Sequence, residues 1–311
     1  MRKYSVTSLH KSDKQPLSIK KGMESAKCRG IEFESPDAFI SAGKATAIVL
    51  EKEGFITDGN YVVTDVISAD FYYRNGYALL DASDDELLTA SALLDKNSDH
   101  PLAKAITKYS REILFDVEEE VTDFKAFNEF ETEGRIGNSV YRSGSPEYIS
   151  KHCRIPVELE QRVFELSKEG KICVFYAKDK KLLGIIGVSD SLKKDSQKAI
   201  NELKELGIRV IMLSSDNEVT AKAIGEQAGV SEVITDYSPD KKKDIIKELE
   251  EKGEIVIACD EHLEGAGFTM GRDSLLDVID AITLARKVIR LKLIYLFEYY
   301  LHGGKNSGED H

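Results

Sequence analysis

The apolar and polar positions of the later half of this chain alternate in a regular way. SLKKDSQKAINELKELG (191–207) carries its apolar residues at helical spacing and is closed by Gly207. IRVIMLSSDN (208–217) is an apolar run with a polar end, the pattern of a buried strand. A helix over 218–229, a short strand at SEVIT (231–235) and a helix begun by Pro239 follow, then a strand at EIVIACDE (254–261) with an acidic end. Strands alternating with helices predict a parallel, doubly wound α/β sheet. Ligands of such sheets bind at the carboxyl ends of the strands. The apolar run Ala47–Leu50 reads as one more buried strand, with turn chemistry behind it at Gly54 and Asp58-Gly59. The strand ends therefore carry Glu51, Ser214 with Asp216, and Asp260.

The middle of the chain has a different rhythm. Residues 85–108 read as two helices broken at Ser98-Asp99-His100-Pro101, because a proline pushes its predecessor out of helical geometry. Residues 124–145 read as strand, glycine turn and strand; 156–170 as an amphipathic helix; and 172–190 as a hairpin turning at Lys178-Asp179-Lys180. The organisation expected is one α/β domain, 44–60 and 186–285, interrupted after its first strand by an α+β insert over 61–185. An N-terminal extension (1–43) and a C-terminal helix and tail (286–311) flank it.

Composition narrows the class. The 311 residues are 41% hydrophobic and 32% charged, as in ordinary globular proteins, and are enough for two domains. A net charge of −12 argues against nucleic acid as a partner, since phosphate binding needs clustered cations. Cys28, Cys153, Cys173 and Cys259 form no C-x-x-C pair and no zinc spacing, which together with the polar first residues predicts a cytoplasmic chain without a signal peptide. No stretch reaches the ~20 apolar residues of a transmembrane helix. In LARKVIRLKLIYLFEYYL (284–301), basic, apolar and tyrosine side chains allow two readings: peripheral contact with a membrane surface, or packing on the chain's own domain.

Read from the residues alone, acids at three strand ends, a hydroxyl at Ser214 and the lysines 241–243 make a phosphoryl-transfer layout. Converging carboxylates suit a divalent cation, and a lysine beside a hydroxyl suits a phosphoryl group.

Three segments then carry a resemblance. GKICVFYAKDKKLLGIIGVSDSLKKDSQKAINELKELGIRVIMLSSDN resembles the stretch that runs into the T-G-D-N motif of heavy-metal P-type ATPases. NSDHPLAKAI resembles the S-E-H-P motif of their nucleotide-binding domain, and GIEFESPDAFISAGKATAIVLEKEGFIT the approach to their D-K-T-G-T-L-T phosphorylation loop. The resemblance covers roughly residues 17–300. It implies a haloacid-dehalogenase-like phosphorylation domain holding an inserted nucleotide-binding domain, with ATP and magnesium as ligands. It also implies roles: Ser214 and Lys242 at the phosphate, His100 on adenine, Gly134 and Gly144 in glycine turns, and Glu51 with Asp260 at the metal.

The departures from the family pattern bear on function. Glu51 stands where the family has the aspartate that is phosphorylated. The extra methylene puts its carboxylate about 1 Å too far forward, a misplacement that costs ~10²-fold. Phe55 replaces a threonine and is expected to crowd the phosphoryl site, while Glu53 adds negative charge. The magnesium motif reads Cys259-Asp260-Glu261-His262-Leu263-Glu264, with its glycines and asparagine gone and the following segment shortened. Thr132 stands at the first glycine of the G-x-G turn. The expectation is an impaired relative with weak nucleotide and magnesium binding and a regulatory or interaction role, its partner a membrane P-type ATPase or another protein. The alternative is a magnesium-dependent phosphatase in which Glu51 and Glu53 mimic a D-x-D pair. LSIKKGMESAKCRG (17–30) and residues 284–301 resemble the stalk segments that enter and leave the family's phosphorylation domain, and the chain holds neither an actuator T-G-E loop nor a C-P-C motif.

Overall fold

The computed structural model describes residues 2–6, 17–70, 83–114, 119–128, 131–235, 239–259, 267–270 and 274–303. They form two compact units: residues 1–56, 193–215 and 225–311, and residues 57–192 with 216–224.

The first unit is built on a seven-stranded sheet. Its centre is β3 (Ala47–Glu51), flanked in parallel by β10 (Arg209–Leu213) and β12 (Val256–Cys259), with β11 (Glu232–Ile234) beyond β10. Ala47, Ile48, Val49 and Leu50 are all 0% exposed, which is why this strand reads as an unbroken apolar run instead of an alternation. Beyond β12 the sheet changes character. β1 (Arg2–Val6) runs antiparallel between β12 and β13 (Gly267–Met270), pairing Tyr4 with Cys259 on one side and with Phe268 on the other. β2 (Ile31–Phe33) closes that edge against β13. The close approach needs a glycine: a Cβ on Gly267 would lie 2.6 Å from the Tyr4 carbonyl oxygen.

Three helices of this unit pack through small residues. α1 (Leu17–Lys27) presents Gly22, where a Cβ would lie 2.8 Å from Phe39 and 3.0 Å from Val288. Phe39 belongs to α2 (Pro36–Lys44), whose N-cap Ser35 accepts a hydrogen bond from the Ala38 N–H at 3.0 Å.

The second unit holds a six-stranded antiparallel sheet in the order β4-β9-β8-β7-β6-β5. These are β4 (Thr57–Ser68), β5 (Val121–Ala126), β6 (Thr132–Ile136), β7 (Ser139–Gly144), β8 (Lys171–Lys178) and β9 (Lys181–Leu192). α3 (Ser83–Leu94), a 3-10 turn (Asp95–Asn97) and α4 (Pro101–Ile113) lie on one face. α5 (Pro146–Ile149) and α6 (Val157–Lys168) lie on the other. Both faces are covered, so consecutive residues of β8 serve different cores. Val174 and Tyr176 join Leu87, Leu94 and Ile106, while Phe175 and Ala177 join Ile149, Leu159 and Leu166.

α7 (Ser196–Glu205), α8 (Glu218–Ala228), α9 (Pro239–Glu251) and α10 (Leu275–Gly303) complete the chain. The sheet of the first unit is mixed, parallel only over β11-β10-β3-β12. Residues 2–6 and 31–33, expected in an extension, are strands of that sheet, because Tyr4, Ile31 and Phe33 are buried in its core. Nor does a boundary fall at residue 286, since α10 runs unbroken through it. The Arg286 guanidinium donates to the carbonyls of Gly43 at 3.2 Å and Ala45 at 3.1 Å, so this part of the helix packs on its own unit. Farther along, Leu291, Leu293 and Ile294 are exposed. No helix among the described residues is long and apolar enough to cross a membrane.

Candidate functional site

Strand register places the first group of residues. Glu51 ends β3 level with Leu213 of β10, and Ser214 is the next residue along that neighbour. The backbone then crosses over: the Lys52 N–H donates to the Leu213 carbonyl at 2.8 Å. Lys242 lies on α9, where Lys241 and Lys243 are exposed and Lys242 is turned inward, its side chain 5% exposed. Its Nζ lies 2.8 Å from Glu51 Oε1. Ser214 is buried, and its N–H donates to the Ile234 carbonyl at 3.0 Å.

The loop behind Glu51 is pinned by residues that sequence reasoning passed over. Lys193 Nζ donates to the Gly54 carbonyl at 2.6 Å, and Ser196 Oγ donates to that of Ile56 at 2.8 Å. Lys52 is itself buried, with Nζ 3.6 Å from Glu53 Oε1, and Glu53 is exposed. Nothing in the sequence separates Lys193 from Lys194; only the fold does. The Phe55 ring is buried and meets Tyr4 edge-on at 6.3 Å, because the antiparallel β1 brings an aromatic core to that side of the loop. Tyr4 in turn stacks on Phe268 at 5.2 Å.

Asp260, with residues 261–264, lies outside the described residues. Among the described residues no three histidine, cysteine or carboxylate side chains are gathered where they could hold a metal ion. Glu51 faces an ammonium group there, so the described part of the site does not by itself suit magnesium, and no step below is routed through it. Asn217, the last residue of the T-G-D-N-like stretch, is a helix cap: its Oδ1 accepts from the Thr220 N–H at 3.0 Å.

In the second unit His100 is the N-cap of α4, its Nδ1 accepting from the Leu102 N–H at 3.2 Å. It lines a cavity of about 10 Å³ together with Asp95, Ser98, Leu102, Ala103 and Thr132. Room for a single water needs ~10–15 Å³, so this cavity by itself is too small for a purine ring. A polar network fills the place. Tyr176 Oη donates to Asp95 Oδ2 at 2.5 Å, Ser143 also bonds Asp95, and the Thr132 and Ser143 hydroxyls are 2.7 Å apart. Burial pushes the Asp95 carboxyl up to about 7, against the opposing pull of the Tyr176 and Ser143 hydroxyls. Gly134 lines a different cleft, of about 230 Å³, with Asp123, Phe124, Lys125 and Arg135. A Cβ there would lie 2.5 Å from Val121, so this glycine also serves packing. Gly144 ends β7 at φ +155, where a Cβ would lie 2.9 Å from Glu131 and 3.0 Å from Tyr148.

A family profile described as haloacid dehalogenase-like hydrolase matches residues 45–266. The chain belongs to that family. Within the haloacid dehalogenase-like hydrolases it is homologous to copper-exporting P-type ATPases. It is 33% identical over 242 residues to the copper-exporting P-type ATPase of Staphylococcus aureus strain bovine RF122, covering 78% of this chain and 28% of that protein. It is 30% identical over 237 residues to copper-exporting P-type ATPase B of Archaeoglobus fulgidus, covering 76% and 32%. The chain thus spans about a third of the length of these relatives. In fold it matches a zinc-transporting PIB-type ATPase in the E2.Pi state at a TM-score of 0.59 and 22% identity, over 91% of this chain and 50% of that one. It also matches the catalytic domain of the CPx-ATPase CopB-B at 0.53 and 21%, over 78% and 79%.

Proposed function

We propose that this haloacid dehalogenase-like chain is a P-type ATPase-like module with impaired phosphoryl transfer, which acts through contacts with a protein partner. The observation that carries the reading is the Glu51–Lys242 ion pair. The acid at the nucleophile position is committed to a buried ammonium 2.8 Å away. A nucleophile needs an aligned approach to the reacting atom within ~3–3.5 Å, and a longer side chain already paired forfeits that alignment. The cavity of about 10 Å³ beside His100 supports the second half of the reading, that ATP binds weakly. The likeness to copper-exporting P-type ATPases supports a cytoplasmic setting and a membrane P-type ATPase as partner. Asp260 and Glu51 are the candidates for residual magnesium affinity.

The test is incubation of the wild-type chain with γ-labelled ATP, with and without magnesium, followed by acid quench. No hydroxylamine-labile phosphoenzyme is expected. A labelled band that disappears in Glu51→Ala would refute the reading. A phosphatase reading has one observation in its favour, the exposed Glu53 carboxylate two residues beyond Glu51. Magnesium-dependent turnover of an aryl phosphate, lost in Glu53→Gln, would establish that reading instead.

A further inference from the structure

The break between α3 and α4 holds a buried acid. Asp95 opens the 3-10 turn, and its carboxyl meets two neutral hydroxyls, that of Tyr176 from β8 at 2.5 Å and that of Ser143 from β7. Thr132 of β6 extends the chain of hydroxyls, 2.7 Å from Ser143. A carboxylate taken out of water needs a cation beside it. The charged groups of the surrounding elements are engaged with one another. Glu86 of α3 pairs with Lys178 of β8 at 2.7 Å, over the Tyr141 ring of β7. Glu133 of β6 pairs with Arg142 of β7 at 2.8 Å, and the exposed Asp99 lies 3.5 Å from Lys104 of α4. A protonated carboxyl suits the place better, because it donates as well as accepts.

The same turn walls the cavity of about 10 Å³ beside His100, room for one water. It is tied down lightly: the Ser98 N–H donates to the Asp95 carbonyl at 3.0 Å and the Lys104 N–H to that of His100 at 3.1 Å. Such segments open locally at lower cost than the cores beside them. His100 titrates in the opposite sense to Asp95. Its Nδ1 accepts from the Leu102 N–H, so protonating the ring removes a helix cap.

We propose that Asp95 is a proton-operated latch on the α3–α4 junction. Protonated, it ties the turn to Tyr176 and Ser143 and keeps the cavity beside His100 closed. Ionised, it draws in water and frees the turn. The carboxyl O–H bond breaks and its proton passes to water; nothing else is transferred. With the closed carboxyl raised to about 7 and an opened one near ~3.9, the latch holds fully below about pH 4 and weakens as pH rises to about 7. It lies in the second unit and is independent of what Glu51 does.

Hydrogen–deuterium exchange of the full chain at pH 5 and pH 8, each amide divided by its intrinsic rate at that pH, tests it. Asp95→Asn is the control, because it keeps the shape, cannot ionise and retains the His100 contribution. Protection of the Ser98 and Lys104 amides in the wild type, relative to Asp95→Asn, is expected to fall at least about tenfold from pH 5 to pH 8. These amides are also expected to exchange faster than those of β8, as a local opening requires. The latch is overturned if the ratio between the two proteins is the same at both pH values, or if the junction exchanges no faster than β8. Tyr176→Phe stands in should Asp95→Asn fail to fold. It removes a hydroxyl that favours the anion, so the loss of protection is expected to reach its plateau at a higher pH than in the wild type; an unmoved plateau would equally overturn the proposal.

Discussion

Phe55 stands edge-on to Tyr4, ring centroids 6.3 Å apart and planes at 75°. The relationship couples the loop after β3 to the strand nearest the N-terminus. It also explains why an aromatic residue is tolerated four positions beyond the strand end. A phenyl ring at that place has a hydrophobic partner, and both residues are buried. Edge-to-face pairs contribute ~0.5–1.5 kcal/mol beyond area burial. Tyr4→Ala is therefore expected to cost about 3–5 kcal/mol and Phe55→Thr about 2–3 kcal/mol. A double-mutant cycle by urea unfolding is expected to give about 1 kcal/mol of coupling. Strict additivity would show that the rings do not support each other.

The Glu51–Lys242 pair is asymmetric in exposure, 39% for the carboxylate and 5% for the ammonium. Removing the carboxylate takes an anion from a buried ammonium; removing the lysine leaves an acid that water reaches. Glu51→Ala is expected to cost about 2 kcal/mol, less than the ~3–5 of a fully buried pair, and Lys242→Met under about 1 kcal/mol. Denaturant unfolding of the two variants in phosphate-free buffer decides the order. Equal losses would argue against the burial asymmetry as cause.

Asp95 makes stability depend on pH. Its folded carboxyl is pushed up to about 7 by burial, while an unfolded aspartate titrates near ~3.9. Between these values the folded state holds a proton the unfolded state has lost, so the contribution is complete below about pH 4 and disappears as pH rises through about 7. Wild-type stability minus that of Asp95→Asn is expected to fall by up to about 1.4 kcal/mol per pH unit across that window. A flat difference curve would mean that Asp95 is ionised in the folded state throughout.

Thr132 lines the cavity beside His100 and bonds Ser143. Thr132→Gly is expected to cost ~2 kcal/mol of stability, through the lost hydrogen bond and the freer backbone, and to tighten ADP binding by about tenfold by opening the pocket. Calorimetric titration of both proteins with ADP is the measurement. Unchanged affinity would place any nucleotide site elsewhere, with the cleft of about 230 Å³ beside Gly134 as the next candidate.

Much of this was legible before any coordinates. The runs at Ala47–Leu50 and 208–213 announce buried parallel strands because both sheet faces are covered, and the break at His100-Pro101 follows from proline sterics. β1 was not legible. Five residues, RKYSV, alternate too briefly to mark a strand, and their place between β12 and β13 depends on partners more than 250 positions away. The direction of Phe55 was hidden for the same reason, since its ring turns towards a residue that only β1 supplies. Nor does local pattern reveal Asp95 as a buried acid: the sequence around it reads as a polar helix break, and only the return of β8 brings Tyr176 over it.

The place of β1 also sets an order of events for a nascent chain. Tyr4 leaves the ribosome more than 250 residues ahead of its two neighbours on the sheet, Cys259 and Phe268. Contacts so distant in sequence form slowly. Until β12 and β13 emerge, the aromatic face of this strand lacks the two strands it pairs with, which makes the early product a client for chaperones and the arrival of β13 the moment at which this sheet can close.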